Sequence, residues 1–436
     1  MYSKKSTIPF VFLLIVTLFA LFFPGLPAEG DNAYDTADIA WMLTSTALVL
    51  IMTPGLAFFY GGMVKKKNVI STMLQSFICM AVVAVIWVVF GFSLVFGESI
   101  GGFIGNPATY FMFDGVIGGP NWPGAPTIPF VLFAMYQLKF AIITPALITG
   151  AFAERIRFTS YVLFLCLFFI FIYAPLAHAT WHPDGLLAGM GVLDFAGGTV
   201  VHMSAGVTAL ASALYLKQGN SNGGHDPARI SYVILGTGFL WFGWFGFNAG
   251  SAFGANELAA TALATTSTAS GAAALAWIFF DAARGKKPTA MGVCIGVVVG
   301  LVAITPAAGF VTVPHSLVIG VIASLISRLV VEWRTRSRVD DTLDVFPSHG
   351  VGGMVGMVLT GVFATKTING VVTTDGLFFG QTGLFTAHIV GLIGAVVFTL
   401  IMAFVILKVT DSITKLRVSP EDEEMGLDIS QHGERL

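Results

Sequence analysis

A chain of 436 residues with 56% apolar and 11% charged side chains, and a mean hydropathy of +0.84, carries more apolar surface than one soluble core can hide. This excludes a soluble globular protein and reads as an all-α polytopic membrane protein. The formal charge of −2, with lysines and arginines scattered in short clusters, leaves no basic face for nucleic acid.

The first 28 residues have the layout of a secretory signal. Lys4 and Lys5 come first, an apolar run from Phe10 to Phe23 follows, and small residues surround Ala28, after which cleavage is expected. If uncleaved, the segment is an extra anchoring helix. Eleven candidate spans then run roughly over 38-63, 69-96, 128-152, 158-180, 196-216, 229-252, 257-282, 289-305, 311-330, 345-364 and 383-408. With the mature N-terminus outside, the inner loops hold Lys65, Lys66, Lys67, Arg155, Arg157, Lys217, Arg229, Arg284, Lys286, Lys287, Arg328, Arg334, Arg336 and Arg338, whereas the outer loops hold only Lys366. Such an asymmetry predicts an N-outside, C-inside topology. The domain plan is one membrane domain over 29-408 and a cytoplasmic tail over 409-436. Fifty glycines, many inside spans, favour a closely packed bundle. Cys79, Cys166 and Cys294 lie apart in apolar runs, which predicts neither a disulfide nor a metal cluster.

Two polar interruptions stand about 150 residues apart: Asp194 with His202 in the fifth span, and Asp344 with His349 in "DVFPSHGVGG" of the tenth. Each histidine is followed by glycine, and both stretches are expected to begin at the outer end of a span. Two five-helix halves repeated in inverted topology, with a peripheral eleventh helix, would produce such a placement and put a binding site between the halves. On one helix Asp194 and His202 would lie about 12 Å apart along the axis, too far to bond directly. Asp194 fits a helix cap that accepts free amides; it also fits a direct role in attracting or deprotonating a cation. Desolvation disfavours imidazolium, so His202 and His349 are expected to be neutral, each ring donating and accepting one hydrogen bond. A lining of this kind suits a small neutral polar solute and holds a bare metal cation poorly.

Aromatic residues complete the pattern. Trp181 falls at the outer end of the fourth span, Tyr136 and Phe140 lie one turn apart on the third, and "FGWFGFNAGS" puts Trp244, Phe247 and Ser251 on the sixth. An aromatic face beside a hydroxyl can capture a small cation, each cation–π contact being worth roughly 0.5 to 2 kcal/mol.

"PGLAFFYGG" with Lys67 and Asn68, "AFAERIRF", "DFAGGTVVHMSAG", "WFGFNAGSA" and "DVFPSHGVGG", in this order over nearly all of the mature chain, resemble the ammonium transporters of the Amt/Mep (Amt/Mep/Rh) family. The resemblance implies a non-enzymatic homotrimer of the cell inner (plasma) membrane, without cofactor or metal, each subunit carrying its own pore for ammonium or methylammonium. Position by position it implies that Trp181, Tyr136, Phe140 and Ser251 recruit ammonium, that Phe140 and Phe247 form a gate, and that His202, His349 and Trp244 line the pore. Asp194 would be the vestibule acid. The tail "EDEEMGLDISQHGERL" resembles the family's regulatory tail, which with inner loops can dock a PII-type signal protein.

Lys139 departs from the family, which has an uncharged residue beside the Phe140 position. On a helix it lies about 60° from Tyr136 and 100° from Phe140, so its ammonium either snorkels away, is buried at a subunit contact, or reaches the pore's edge and modulates it. His178 and His182 flank Trp181 at the outer surface, His225 and His432 read as solvated cytoplasmic residues, and His315 and His388 have no assigned part. Three rival readings are an Rh-like gas channel for ammonia or carbon dioxide, an ammonium sensor, and a membrane enzyme holding haem between His202 and His349. Trp181 with Ser251 argues against the gas channel, because a recruiting site serves only a charged species.

Overall fold

Why the chain folds as a bundle follows from its runs of apolar residues bounded by caps and breakers. The computed structural model describes residues 8–28, 32–219 and 226–436; Lys4, Lys5, Glu29 and His225 lie outside them. After an exposed apolar helix, α1 (Ile8–Ala20), come α2 (Thr36–Met63), α3 (Lys66–Phe96), α4 (Phe130–Phe152), α5 (Phe158–Gly189), α6 (Gly198–Leu216), α7 (Ile230–Ala252), α8 (Glu257–Ala283), α9 (Ala290–Ile304), α10 (Val313–Arg336), α11 (Phe346–Phe363) and α12 (Gly383–Ile413). Among the described residues ten helices, α2 to α8 and α10 to α12, are long and apolar enough to cross a membrane. The protein is therefore a multi-pass, all-helical membrane protein.

Helix starts are set by side-chain acceptors for free amides. Asp35 accepts from Ala37 and Asp38 at the head of α2, and Asn256, Thr289 and Thr312 do the same for α8, α9 and α10. The eighth expected span, 289-305, corresponds to α9, which at 15 residues is short for a span. Pro306 lies just beyond its end, where it cannot supply the amide a continuing helix needs.

Close packing rests on glycine. A Cβ on Gly236 would stand 2.3 Å from the Phe59 amide nitrogen, and one on Gly206 would stand 2.1 Å from that of Gly350. The first contact joins α7 to α2; the second joins α6 to α11.

The connections gather at two ends. One end is basic: Arg229 N and Ala228 N bond Gly62 O and Val64 O, Arg155 pairs with Asp340 at 2.8 Å, and Val418 N donates to Arg155 O. At the other end Asp35 N bonds Thr127 O, Leu186 N bonds Gly102 O, and Phe195 N bonds Pro306 O. Asp194 belongs to this second end and Asp344, paired with Arg334 at 2.7 Å, to the basic one. The expectation that both polar stretches begin at the same, outer end is thus corrected. Each helix reverses the chain, and five helices separate the two stretches, so they must start at opposite ends.

The tail is docked, not loose. Helices α13 (Pro420–Met425) and α14 (Leu427–His432) lie on the basic end: Lys67 Nζ donates to the Glu423 carbonyl, Asn68 Oδ1 accepts from Leu427 N, and Asp428 Oδ1 accepts from Ser71 N. Arg417 bonds the carboxylate of Glu423, the carbonyl of Leu216 that ends α6 and that of Gln218 just beyond it. His432, read as solvated from sequence, is half-buried; its ring edge meets Phe158 at 5.0 Å and Nε2 lies 3.2 Å from the Ser71 hydroxyl.

Candidate functional site

Asp194 organises the non-basic end of the site. Its Oδ1 accepts from Gly197 N (2.8 Å) and Gly198 N (2.6 Å), and its Oδ2 from Thr199 N (2.8 Å) and Val200 N (3.4 Å). The two glycines have separate reasons. Gly197 has φ +111°, a left-handed conformation that side chains resist, and a Cβ on Gly198 would stand 2.6 Å from the Pro306 ring. Burial raises the Asp194 carboxyl above its ordinary range while the amides pull it back, and since every contact is an N–H donor the geometry holds the carboxylate form. The Asp194 carbonyl also accepts from Trp181 Nε1 at 3.1 Å, which fixes that indole.

Below Trp181 the aromatic rings form a stack. Trp181 meets Phe140 edge-on at 6.0 Å, and Phe140 lies against Phe247 face to face, 4.2 Å between centroids and 25° between planes. Tyr136, one turn from Phe140, donates to the Gly246 and Phe247 carbonyls at 2.9 Å and stands 3.2 Å from Ser251 Oγ. The structure thus brings Trp181, Tyr136, Phe140, Phe247 and Ser251 together.

Next along the axis are the histidines. α6 opens with a six-residue π-helix, Gly198–Met203, that carries His202, and α11 opens with another, Phe346–Val351, that carries His349. Such wide turns redirect side chains and recur at functional sites. The Gly206–Gly350 contact lets the two helices touch, and His202 Nδ1 comes within 3.3 Å of His349 Nδ1. One ring must donate and the other accept across that distance. Both side chains are buried, and they share a small cavity with Leu56, Ile143, Leu147, Val298, Trp244 and Phe247. Trp244 stacks on His202 at 5.2 Å and is anchored by its indole N–H to Thr305 Oγ1 at 2.9 Å. His202 Nε2 is buried without a hydrogen-bond partner. Chemically, the cavity offers a polar solute imidazole nitrogens on a wall that is otherwise hydrocarbon.

The family model described as the Ammonium Transporter Family matches residues 40–435. The chain belongs to that family. An ammonium transporter of Aquifex aeolicus is 46% identical over 424 residues, 97% of each chain. Among solved structures, Saccharomyces cerevisiae Mep2 matches with TM-score 0.84 and 35% identity over 89% of this chain and 88% of its own. A protein described as a sensor Amt protein matches with TM-score 0.80 and 26% identity over 91% and 98%. Ammonium transporters are transport proteins, which agrees with a non-enzymatic reading of the site.

Other residues fall outside the cluster. Lys139 lies on a half-exposed stripe with Val131 and Met135 on the flank of α4, and it makes no ion pair among the described residues. His178 bonds Val95 O and Ser99 Oγ, each at 2.8 Å, and His388 bonds Met357 O and Leu193 N, so both rings are structural bridges. His315 stacks on Phe363 at 4.5 Å. The sequence reading missed Thr305 behind Trp244, and it missed Asp341. The match to Asp194 is Asp341, not Asp344: 349 minus 341 and 202 minus 194 are both eight, and Asp341 Oδ2 accepts from Phe346 N at 2.7 Å at the start of the second π-helix. Asp344 instead has φ +55° and faces Arg334. The equal offset was the signal that could have found it.

Proposed function

We propose that this family member takes up ammonium at Trp181, Tyr136, Phe140 and Ser251, parts it from its proton near Phe140 and Phe247, and passes ammonia along His202 and His349 beside Trp244. The observation that carries the reading is the 3.3 Å Nδ1–Nδ1 contact inside a buried, mostly apolar cavity. Two imidazolium rings would oppose two N–H groups there, so at least one ring is neutral, and the apolar wall disfavours charge on the other. A whole ion entered into such a medium without partners costs tens of kcal/mol by a Born estimate, whereas ammonia is a neutral polar molecule. Potassium has no proton to leave behind, so it is refused although its size and charge resemble those of ammonium.

At the non-basic end, Trp181 and Phe140 offer π faces and Ser251 a hydroxyl, which supports capture of the charged form. That favours transport of ammonium over an Rh-like gas channel. The Asp194 carboxylate adds a fixed negative field above the stack. The basic end is taken as cytoplasmic because lysine and arginine favour that side. On this reading eleven spans follow a signal cleaved after Ala28, two five-helix halves form an inverted repeat, and the N-terminus is outside. Three copies assemble in the inner (plasma) membrane, and the docked tail over 409-436 with its neighbouring loops meets a PII-type signal protein.

Purified protein in liposomes should pass ammonium and methylammonium down a gradient while a potassium gradient persists. Equal passage of ammonium and potassium, or no passage of ammonium, overturns the reading.

A further inference from the structure

Asp341 and Asp194 occupy matching places but are satisfied differently. Asp194 directs both oxygens at four amides. Asp341 is fully buried, yet while its Oδ2 holds the Phe346 amide its Oδ1 has no hydrogen-bond partner. The charged and titratable groups that face it are Asp344 and Arg334, which pair with each other, Arg155, which pairs with Asp340, and Tyr60. Tyr60 links this corner to the histidine cavity: its hydroxyl donates to the Leu147 carbonyl at 2.9 Å, and Leu147 lines that cavity. A Cβ on Gly150 would meet Val345, Leu343 and the Tyr60 ring within 3.2 Å, so the segment that carries Asp341 packs on the basic-end side of the helices that line the cavity.

A conduit that carries an uncharged amine between two solutions in which the amine is charged must handle a proton at each end. The path inward is the path outward reversed, so an acceptor at one mouth alone is incomplete. We propose that Asp341 is the proton-exchange group at the basic mouth, its free oxygen protonating ammonia that leaves the histidine cavity and deprotonating ammonium that enters from that side. The proposal rests on the ammonia-conducting reading above. In the inward direction the O–H bond of the acid breaks and an N–H bond forms on ammonia. Ammonium departs, and the carboxylate regains a proton from hydronium in the cytoplasmic water. Asp194 cannot turn over in this way, because its lone pairs are already committed to amides. Burial, with Asp344 beside it, pushes the Asp341 carboxyl up to about 7, which leaves both forms populated near neutral pH.

The test is Asp341→Asn in the full-length protein in liposomes, since asparagine still caps Phe346 N but carries no exchangeable acid proton. Initial one-way uptake of labelled methylammonium is followed at fixed outer pH while the pH at the basic face is varied. The parent should slow as that pH rises through about 7, because the donor form is lost. Asp341→Asn should be slower, on the order of 10²-fold, and flat against that pH, and Asp341→Glu should restore both rate and profile. An Asn variant equal to the parent in rate and profile overturns the proposal, as does a parent that transports with a flat profile. If the Asn variant does not assemble, infrared difference spectra of the parent decide: a carboxylic C=O band that titrates near 7 and moves in Asp341→Glu supports it, and its absence overturns it. A parent that passes no ammonium at all fails the underlying reading instead, and does so before any variant is compared.

Discussion

Asp194 and Asp341 each stand eight residues before a buried histidine and each caps a π-helix, but four amides hold the first while the second keeps one oxygen free. Identical local plans have been completed by different neighbours. At the non-basic end two glycines bring successive amides onto one carboxylate, which makes Asp194 a fixed anion and a structural post. At the basic end the loop over 337–345 brings acids together, and Asp341 is left able to gain and lose a proton. The offset from the histidine thus specifies position, while the count of donors around the acid specifies what it can do.

The sharpest way to break this comparison is to remove the fixed acid. Asp194→Ala strands four buried amides and should lower unfolding stability by at least about 3 kcal/mol, with ammonium uptake abolished, whereas Asp341→Asn should change stability by no more than about 1 kcal/mol. Thermal unfolding of the two variants in detergent measures this; equal losses would erase the distinction. Next in size is the crossing that both histidine helices share. Gly206→Ala puts a methyl 2.1 Å from Gly350 N, so backbone must shift and the imidazoles part. A stability cost of about 1–3 kcal/mol and a loss of uptake beyond roughly tenfold are expected, the latter equivalent to about 1.4 kcal/mol in the barrier.

Smaller effects separate the Asp194 end further. Trp181, hung from the Asp194 carbonyl, contributes by the present reading a cation–π contact of roughly 0.5 to 2 kcal/mol. Trp181→Leu should therefore raise the half-saturating ammonium concentration about 2- to 30-fold in uptake assays without loss of fold. The smallest change belongs to Lys139. Its half-exposed stripe with Val131 and Met135 turns away from the ring stack, so Lys139→Met should leave the uptake rate within about twofold of the parent. A large rise would mean that its charge reaches the conduit.

How much of this was readable in the chain depends on the distance over which each feature is decided. The spans follow from runs of apolar residues, and the Asp194 turn from "DFAGG", because both are local. Trp181, Tyr136, Phe140, Phe247 and Ser251 could be named one by one, but their meeting depends on how α4, α5 and α7 cross. Asp341 was passed over for Asp344, which is nearer the histidine; the equal offset of eight marks Asp341, and the backbone, with φ +55° at Asp344, turns the nearer acid toward Arg334 instead. His388 and His178 gained their bridging parts from partners 83 or more residues away along one of their bonds, and the docked tail depends on Lys67, Asn68 and Ser71, far from it in sequence.

The claim on which the account turns is that an uncharged amine, not an ion, passes the paired imidazoles. Purified His202→Ala protein in liposomes, with ammonium and potassium fluxes measured side by side against the parent, tests it most directly. The account predicts that ammonium flux falls or that potassium begins to leak once the ring is gone. Full ammonium flux with potassium still refused would contradict it.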